Sequence, residues 1–429
     1  MRRGRRDRQK TAKQQTKRCL WMSLGICSIA VILGALLLHS SGYAGYFISG
    51  MRERLEARFP GNDPGGKDPG FQPGDDEPGK HSGEKSDYES GVGTGGGSGN
   101  EPDSGESNGS GETINGPGDS TISPMDDGEL YRLGVNELGK VPIIMYHDVQ
   151  DYEAEWVRSR SNLRNDLERF HDLGYSLVLL SDYLSGNISV PAGKAPLVLT
   201  FDDGTRGQFR MIEGDEGLIP DPDCAVGILL EFSRTHPEFG HAATFFVNSG
   251  NPFGDASRIE ENFRFLLENG MEIGNHTRTH ANLAYASPEA VVREIGSLVN
   301  EVRGICGYEP VSLALPFGGY PQSTESLLAG TWDDQEYVNK GILLVGAEPA
   351  PSPFSRKFNP LAIPRIRGSQ EELDKWLGEF EEYPDERFVS DGRSETVTIR
   401  QGRSADLEPE RVLDLEVREY PCDMDSVVP

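Results

Sequence analysis

The feature that most constrains the fold is a strand-like run at 197–201 that stops at two adjacent carboxylates, Asp202 and Asp203. A short, largely apolar run that does not alternate with polar residues is typical of a parallel strand buried on both faces. Such a strand delivers both acids at its carboxyl end. The acid pair and the glycine after it are weak evidence for catalysis by themselves, because Asp-Asp-Gly is also common in turns.

A second strand-like run at 271–273 precedes His276 and His280, which are separated by three residues. Histidines also cap helices and lie on surfaces, so this pair alone is equally weak evidence. Two imidazoles and a carboxylate are nevertheless a ligand set that a divalent metal such as zinc accepts. Both strands together therefore predict one metal site.

Strand-like and helix-like segments alternate through the part of the chain that we predict to fold as one barrel, residues 135–383. Strands are predicted at 141–149, 197–202, 242–248, 271–275, 312–316, 341–346 and 361–366. Helices are predicted around Leu163, Leu167, Phe170 and Leu173 with Ser161 as the N-cap, and at 225–236, 258–269, 288–304 and 370–380. This alternation predicts a mostly parallel α/β sheet, and about seven strands favour a distorted (β/α)7-type barrel.

Polar side chains collect at the predicted carboxyl ends of these strands, where parallel barrels carry their chemistry. Five separate strands contribute to this set: His147 and Asp148, Asp202 and Asp203, Asn275 and His276, Phe317 and Gly318, and Arg365 and Arg367.

The first residues of the chain predict a membrane anchor. Residues 1–18 carry nine Lys/Arg against one Asp, and the apolar segment 19–39 that follows is long enough to span a bilayer. The basic flank predicts a cytoplasmic N-terminus and an extracytoplasmic remainder. The alternative is a signal peptide cleaved near 40–45, although the apolar run exceeds the usual ~7–15 residues of such peptides.

Amino-acid composition and net charge change along the chain. Residues 60–127 are rich in Gly, Pro, Ser and acids and predict a disordered linker. Residues 1–59 hold twelve Lys/Arg and three Asp/Glu, net +9, so the total of −27 leaves −36 on the rest. That excess argues against nucleic acid as a partner. Five cysteines are too few for a disulfide framework, and one bridge among Cys224, Cys306 and Cys422 stays open.

Two segments receive no function from the sequence. The acidic insertion at 210–240 is either a surface loop or a lid over the site. The C-terminal part, 384–429, alternates apolar and polar residues at 395–399 and 412–417, which predicts a small β extension in the form of a hairpin.

Thr200–Gly204 and His276–His280 resemble the first two motifs of the NodB-type polysaccharide deacetylases, carbohydrate esterase family 4. The opening strand at 142–149 and the late segment Ile363–Ile366 resemble the branch that acts on poly-N-acetylglucosamine. The resemblance covers about residues 140–380. It implies the barrel named above and a polysaccharide substrate.

By this resemblance Asp203, His276 and His280 bind a divalent metal, usually zinc, and Asp202 is the general base. This assignment of one acid to the metal and the other to the base agrees with the chemistry. A metal held by three protein ligands keeps a position for water and lowers the pKa of that water toward ~7. A carboxylate off the metal can then accept the proton.

The family's third motif is matched only in part, at Leu313–Gly318. Phe317 and Gly318 keep the region whose backbone N–H groups stabilise an oxyanion. Ala314, however, occupies the place of the arginine that orients the base. Arg365 or Arg367 is the candidate replacement, and the alternative role for either is a surface ion pair or bracing of the barrel rim.

The family's late histidine, a general acid, has no counterpart, because His280 is the last histidine in the chain. His147, at the end of the first strand, is the candidate replacement, and its alternative is a hydrogen-bonded rim histidine. His236 and His241 precede or begin a strand and are expected nearer the opposite face.

Several neighbours have a possible supporting role and an equally ordinary structural one. Asn275 and Thr277 are candidates to hold the ring of His276 by hydrogen bonds. Thr205 is a candidate substrate contact or a helix cap. Three aromatic residues are candidates for a sugar-stacking wall or for the core: Tyr146, Phe317 and Tyr320.

These observations predict a membrane-anchored, extracytoplasmic, metal-dependent deacetylase of an amino-sugar polymer, either peptidoglycan or poly-N-acetylglucosamine. The alternative is a glycan-binding surface protein that keeps the fold and the metal without turnover. The missing late histidine and motif arginine favour the alternative, whereas Asp202 favours the enzyme.

Overall fold

The computed structural model describes residues 125–215 and 217–422. The predicted basic tail (1–18), membrane segment (19–39) and linker (60–127, except its last three residues) lie outside this part. Within it, no helix has the length and apolar character needed to cross a bilayer.

Sixteen strands occur in the described residues. In chain order they are β1 Ile143–Tyr146, β2 Asp148–Gln150, β3 Val157–Ser159, β4 Tyr175–Leu177, β5 Ala195–Phe201, β6 Met211–Gly214, β7 Gly217–Pro220, β8 Thr244–Val247, β9 Glu272–Asn275, β10 Ser312–Ala314, β11 Ala329–Trp332, β12 Gln335–Val338, β13 Gly341–Ala347, β14 Ile363–Arg367, β15 Thr396–Arg400 and β16 Glu416–Tyr420.

Eight α-helices accompany them in the same part of the chain. They are α1 Asp127–Leu133, α2 Arg160–Asp172, α3 Leu180–Ser185, α4 Ala225–Thr235, α5 Ile259–Glu268, α6 Pro288–Cys306, α7 Glu325–Leu328 and α8 Gln370–Glu382.

Seven parallel strands close into a barrel, which confirms the predicted architecture. The order around the barrel is β1-β14-β13-β10-β9-β8-β5, and β5 pairs again with β1. Ile144 joins the two sides of the closure, because it lies opposite Leu199 of β5 and Ile366 of β14. An eighth strand, β4, which the sequence did not predict, pairs with the start of β5.

Strand alternation sends one set of side chains into the barrel and another toward the helices. Val198, Phe246, Leu343 and Ile363 belong to one buried cluster, which includes the barrel interior. Leu199, the residue directly after Val198 in β5, packs instead with residues of the surrounding helices. All seven residues of β5 are buried, as its unbroken apolar pattern requires.

The predicted helices are all present, but the N-cap assigned to the first of them is wrong. Helix α2 is capped by Ser159, whose hydroxyl accepts a hydrogen bond from Asn162 N at 3.2 Å. Ser161 lies inside the helix. Two serines at neighbouring positions can both serve as a cap, and the parallel pairing of β3 with β2 places the first one at the helix start.

The segment at 210–240 begins as an antiparallel hairpin, β6–β7, and continues as α4, whose buried face packs into the main cluster. It is therefore a folded excursion rather than an irregular loop. No disulfide joins Cys224, Cys306 and Cys422, which are all free thiols.

The predicted C-terminal hairpin is wrong in its pairing. Strands β15 and β16 pair in parallel, with Thr396 opposite Glu416 and Arg400 opposite Tyr420. The connection between them runs back along the body of the domain, where Arg356 N donates to Asp406 O and Glu408 N donates to Phe354 O. The chain thus enters both strands from the same end.

Gly274 of β9 provides a test of barrel packing. A Cβ at this position would lie 2.3 Å from Cδ1 of Phe246, inside the packed barrel wall. We expect Gly274→Ala to lower the free energy of unfolding by about 1–3 kcal/mol, measured by urea denaturation.

Gly304 is the matched control, because a Cβ there meets nothing within 4 Å and the residue lies in α6. Gly304→Ala should raise the free energy of unfolding by about 0.5–1 kcal/mol, since alanine restricts the unfolded chain more than glycine does. Equal stability of the two variants would contradict the packing described here.

Candidate active site

Asp202 and Arg365 form a buried ion pair at the carboxyl ends of β5 and β14. Arg365 Nη1 donates to Asp202 Oδ1 and Nη2 to Oδ2, each at 2.7 Å. Both side chains are almost fully buried, at 0% and 1% exposure. Arg365 therefore holds both oxygens of Asp202 in one orientation.

The rest of the Arg365 side chain is also fixed. Its Nε donates to Leu344 O at 2.8 Å, Nη1 reaches Thr200 Oγ1 at 3.1 Å, and the guanidinium lies 5.7 Å from the ring centre of Phe246. Burial by itself would raise the pKa of Asp202, but the guanidinium outweighs it and the pKa lies below its usual value. Asp202 is thus a carboxylate at neutral pH.

Asp203, His276 and His280 come together beside this pair. Asp203 Oδ1 lies 3.2 Å from His276 Nε2 and 3.3 Å from His280 Nε2. One possible ligand atom from each residue falls within 4.8 Å of the others. Asp203 Oδ1 is buried and accepts no hydrogen bond within the described residues.

This arrangement fits a divalent metal. A buried carboxylate oxygen without a donor, facing two imidazole nitrogens, is a donor set that zinc accepts, and three ligands leave a position for water or substrate. Burial opposes ionisation of Asp203, yet the adjacent imidazoles keep its pKa well below the usual range. The carboxylate is therefore charged, as a metal ligand must be.

The ring of His276 is oriented by the backbone of β10. His276 Nδ1 lies 3.0 Å from Ala314 O, and since a carbonyl oxygen only accepts, Nδ1 donates this hydrogen bond and Nε2 is turned toward Asp203. Ala314, whose side chain cannot replace the motif arginine, still contributes to the site through its carbonyl.

The predicted support of this ring by Asn275 and Thr277 is not observed. Asn275 instead donates to Ile295 O and accepts from Thr277 N, and Thr277 Oγ1 accepts from Ala281 N. Both residues stabilise the loop after β9 rather than the imidazole.

The loop that carries both histidines is strained, and Glu294 holds it in place. Thr277 and His280 have positive φ angles of 61° and 55°, which non-glycine residues rarely adopt. Glu294 of α6 is buried, and its Oε2 accepts from Thr279 N at 2.9 Å and from Thr279 Oγ1 at 3.0 Å. The sequence analysis did not identify this residue.

His147 lies at the end of β1, and its ring packs against Trp156 with 4.6 Å between ring centres. Burial lowers its pKa, against the opposing charges of Asp202 and Asp203, so the imidazole is largely neutral at neutral pH. The carboxylates that influence the pKa of His147 are Asp202 and Asp203.

Phe317 and Gly318 occupy a tight turn at the site. Phe317 is 57% exposed, has a φ of 57°, and its ring lies 4.8 Å from that of His280. The N–H groups that close this turn are those of Gly318 and Gly319, which donate to Leu315 O and Pro316 O. The N–H of Gly318, a candidate oxyanion donor, is therefore engaged within the turn.

Three other candidates have structural contacts. Thr205 Oγ1 donates to Asp148 Oδ1 at 2.6 Å, so it neither caps a helix nor faces outward as a free hydroxyl. Tyr146 is buried and donates to Asp166 at 2.8 Å, and Tyr320 donates to Leu361 O. Of the three aromatic candidates, Phe317 alone is exposed.

Arg367, the second candidate partner of Asp202, lies elsewhere on the rim. Its guanidinium carbon is 4.4 Å from the ring centre of Trp156. His241 begins the segment before β8 and contacts Asn269 O, and His236 ends α4, so both lie away from the carboxyl ends of the strands as expected.

Residues 189–331 match the family model described as polysaccharide deacetylase. Among curated proteins, the chain is similar to the peptidoglycan-N-acetylmuramic acid deacetylase PdaC of Bacillus subtilis, at 25% identity over 148 residues. The match covers 34% of this chain and 27% of the relative, so the chain spans about a quarter of that protein's length.

Similar solved structures include the Streptococcus pyogenes deacetylase PplD in complex with acetate, with 21% identity, coverage of 53% of this chain and 92% of that one, and a TM-score of 0.40. IcaB from Ammonifex degensii is another, with 17% identity, coverage of 56% and 97%, and a TM-score of 0.39.

The family match contains the acid pair, both histidines and Phe317, whereas His147 and Arg365 lie outside it. It confirms the resemblance drawn from the two motifs: residues 189–331, which contain both of them, are similar to the polysaccharide deacetylases.

Proposed function

We propose that this chain is a metal-dependent hydrolase that removes N-acetyl groups from an amino-sugar polymer, releasing acetate and leaving a free amine. One observation carries the proposal. A buried carboxylate held at both oxygens by Arg365 stands directly beside a second carboxylate that faces two imidazoles. The two acids thus have different partners, as a base and a metal ligand require.

The roles follow from these contacts. Asp203, His276 and His280 would hold the metal, which when bound polarises the acetyl carbonyl and makes water more acidic. Asp202 accepts the proton of the water that adds to that carbonyl. The N–H of Phe317 donates to the developing oxyanion. As the C–N bond breaks, the imidazolium form of His147, which its lowered pKa makes the minor form at neutral pH, donates a proton to the departing nitrogen.

The alternative, a glycan-binding protein without turnover, loses one of its two supports. The motif arginine is absent from position 314, but Arg365 supplies a guanidinium to the same carboxylate from β14. Only the missing late histidine still favours the alternative. A pure binding protein would also have no need for a base oriented at both oxygens.

The cellular setting is part of this proposal. The basic residues 1–18 and the apolar segment 19–39 support a single-pass anchor with a cytoplasmic N-terminus. The polar linker at 60–127 is suited to reach a polymer at the cell surface.

Peptidoglycan and poly-N-acetylglucosamine are both candidate substrates, and zinc is the candidate metal. The proposed orientation of the anchor predicts that the N-terminus of the chain is protected from protease added to intact cells.

Metal binding should depend on the three proposed ligands. Asp203→Ala and His276→Ala remove ligands from a three-residue set, so we expect stoichiometric zinc to be lost, measured by metal analysis of the purified full-length chain. His241→Ala is the matched control, since that histidine lies away from the site. Unchanged zinc content in both ligand variants would contradict the assignment.

Acetate release should depend on Asp202. Asp202→Asn keeps the shape but removes the base, so release from N-acetylglucosamine oligomers and peptidoglycan should fall by about 10²–10⁴-fold with zinc retained. The substitution also leaves Arg365 buried without a counter-charge, so the variant should unfold at lower urea.

The double variant Asp202→Asn/Arg365→Met separates the two effects. Removing both charges should recover most of the lost stability, because the buried charge left unpaired by either single substitution is gone. Acetate release should stay low. A fully active Asp202→Asn protein would favour another base, and an inactive wild-type protein with bound zinc would favour the glycan-binding alternative.

His147 should affect turnover rather than metal. His147→Ala removes the proposed proton donor, so kcat should fall by about 10²-fold or more while zinc content stays near that of the wild type. His236→Ala, which changes a histidine at the end of α4, is the control. An unchanged kcat would exclude His147 as the acid.

A further inference from the structure

Trp156 is an exposed aromatic residue beside the site that the sequence analysis did not consider. It lies between β2 and β3, on the excursion that leaves the barrel directly after His147. Trp156 O accepts a hydrogen bond from Asp148 N at 3.0 Å. The side chain is 43% exposed, although it is anchored next to buried residues.

Residues at two strand ends contact the indole. Its ring centre lies 4.6 Å from the ring of His147 and 4.4 Å from the guanidinium carbon of Arg367. The register of β1 and β14 puts Met145 opposite Arg367, so these two neighbours belong to adjacent strands at the same edge of the barrel. The indole therefore lies on the face that carries the chemistry.

The backbone around Trp156 is also fixed. Glu153 accepts from Ser159 N at 2.8 Å and from Arg158 Nη1 at 2.8 Å. Arg158 in turn forms a buried pair with Asp166 of α2. An exposed indole on a rigid support loses little conformational entropy when it binds a ligand.

Phe317 has a similar arrangement with the second histidine of the site. It is 57% exposed and packs against His280, as Trp156 packs against His147. His147 interacts electrostatically with Asp202 and Asp203, and His280 contacts Asp203. Each of these two exposed aromatic rings thus packs against a histidine that interacts with the acid pair.

We propose that Trp156 is a sugar-binding residue that stacks on the C–H face of a pyranose ring next to the residue being deacetylated. This inference rests on the proposed function and adds to it a subsite for a neighbouring sugar. The negative face of an indole attracts the positively polarised C–H groups of a pyranose, while the sugar hydroxyls stay in water. The guanidinium of Arg367 lies over the indole and Glu155 pairs with it at 3.8 Å, so both offer polar partners to those hydroxyls.

The subsite has a kinetic consequence. A contact to a non-reacting sugar holds substrate and transition state equally, so its loss raises KM and leaves kcat near that of the wild type. The effect appears with oligomers that reach the subsite and is absent with N-acetylglucosamine itself. This pattern differs from that of His147, whose loss lowers kcat.

Binding and turnover are measured separately to test the subsite. The zinc-loaded, full-length Asp202→Asn chain, which should bind without turnover, is titrated calorimetrically with the N-acetylglucosamine tetramer. Adding Trp156→Ala should weaken binding by about 10-fold or more, whereas Trp156→Phe, which keeps an aromatic face, should weaken it less. Tyr383→Ala is the matched control, because Tyr383 is 47% exposed at the far end of α8.

In the background with Asp202 intact, Trp156→Ala should raise KM for the tetramer by a similar factor. A lower kcat with unchanged KM would overturn the proposal, because Trp156 would then act by positioning His147. Equal tetramer affinity with and without the indole, or no affinity in either protein, would also overturn it. If tetramer binding requires Trp156 but the wild-type protein releases no acetate, the subsite proposal stands. The proposal of deacetylase activity is then rejected.

Discussion

The buried pair of Asp202 and Arg365 is the interaction on which the site depends. A buried carboxylate would be costly to ionise without a partner. A buried guanidinium without a counter-charge would likewise destabilise the fold. Each residue therefore requires the other, and the closure of β1 between β5 and β14 brings them together. With both oxygens of Asp202 occupied by Arg365, the adjacent Asp203 is the carboxylate whose free oxygen faces the histidines.

The geometry of Asp203, His276 and His280 is maintained by loops in unfavourable backbone conformations. Asp203, Thr277 and His280 all have positive φ, and each such residue costs of order 1–3 kcal/mol. Buried hydrogen bonds oppose this cost, notably those of Glu294 to Thr279. The positions of Asp203, His276 and His280 are thus fixed by the loops that carry them and by the hydrogen bonds of those loops.

Much of the fold could be predicted because buried parallel strands leave an unbroken apolar signal. The signal is strongest in β1, β5, β8 and β13, whereas β4, with three residues that include Ser176, is too short to show it. The direction of β16 could not be predicted, because it depends on contacts of a long connection with the domain body. Choosing between Ser159 and Ser161 as a cap likewise required the position of β3.

The candidate site was predictable to the extent that its residues end strands. Both acids, both histidines, His147 and Arg365 do so, and the structure brings Arg365 rather than Arg367 to Asp202. The two arginines share a face of β14, but Arg367 is one step further out and reaches the rim at Trp156. Glu294 was missed because its contact with Thr279 depends on the docking of α6, for which the sequence carries no local signal.

The absent late histidine is best understood through the position of His147. In the proposed reaction the proton donor has to lie within reach of the departing nitrogen, and the strand that supplies it is immaterial. His147 ends β1, which lies between the strand of the base and the strand of its arginine. Burial lowers its pKa while two carboxylates oppose that effect, so the charge state of this imidazole follows the charges of the site itself. A histidine in that environment binds a proton more readily while Asp202 and Asp203 are ionised than it would if either acid were neutral.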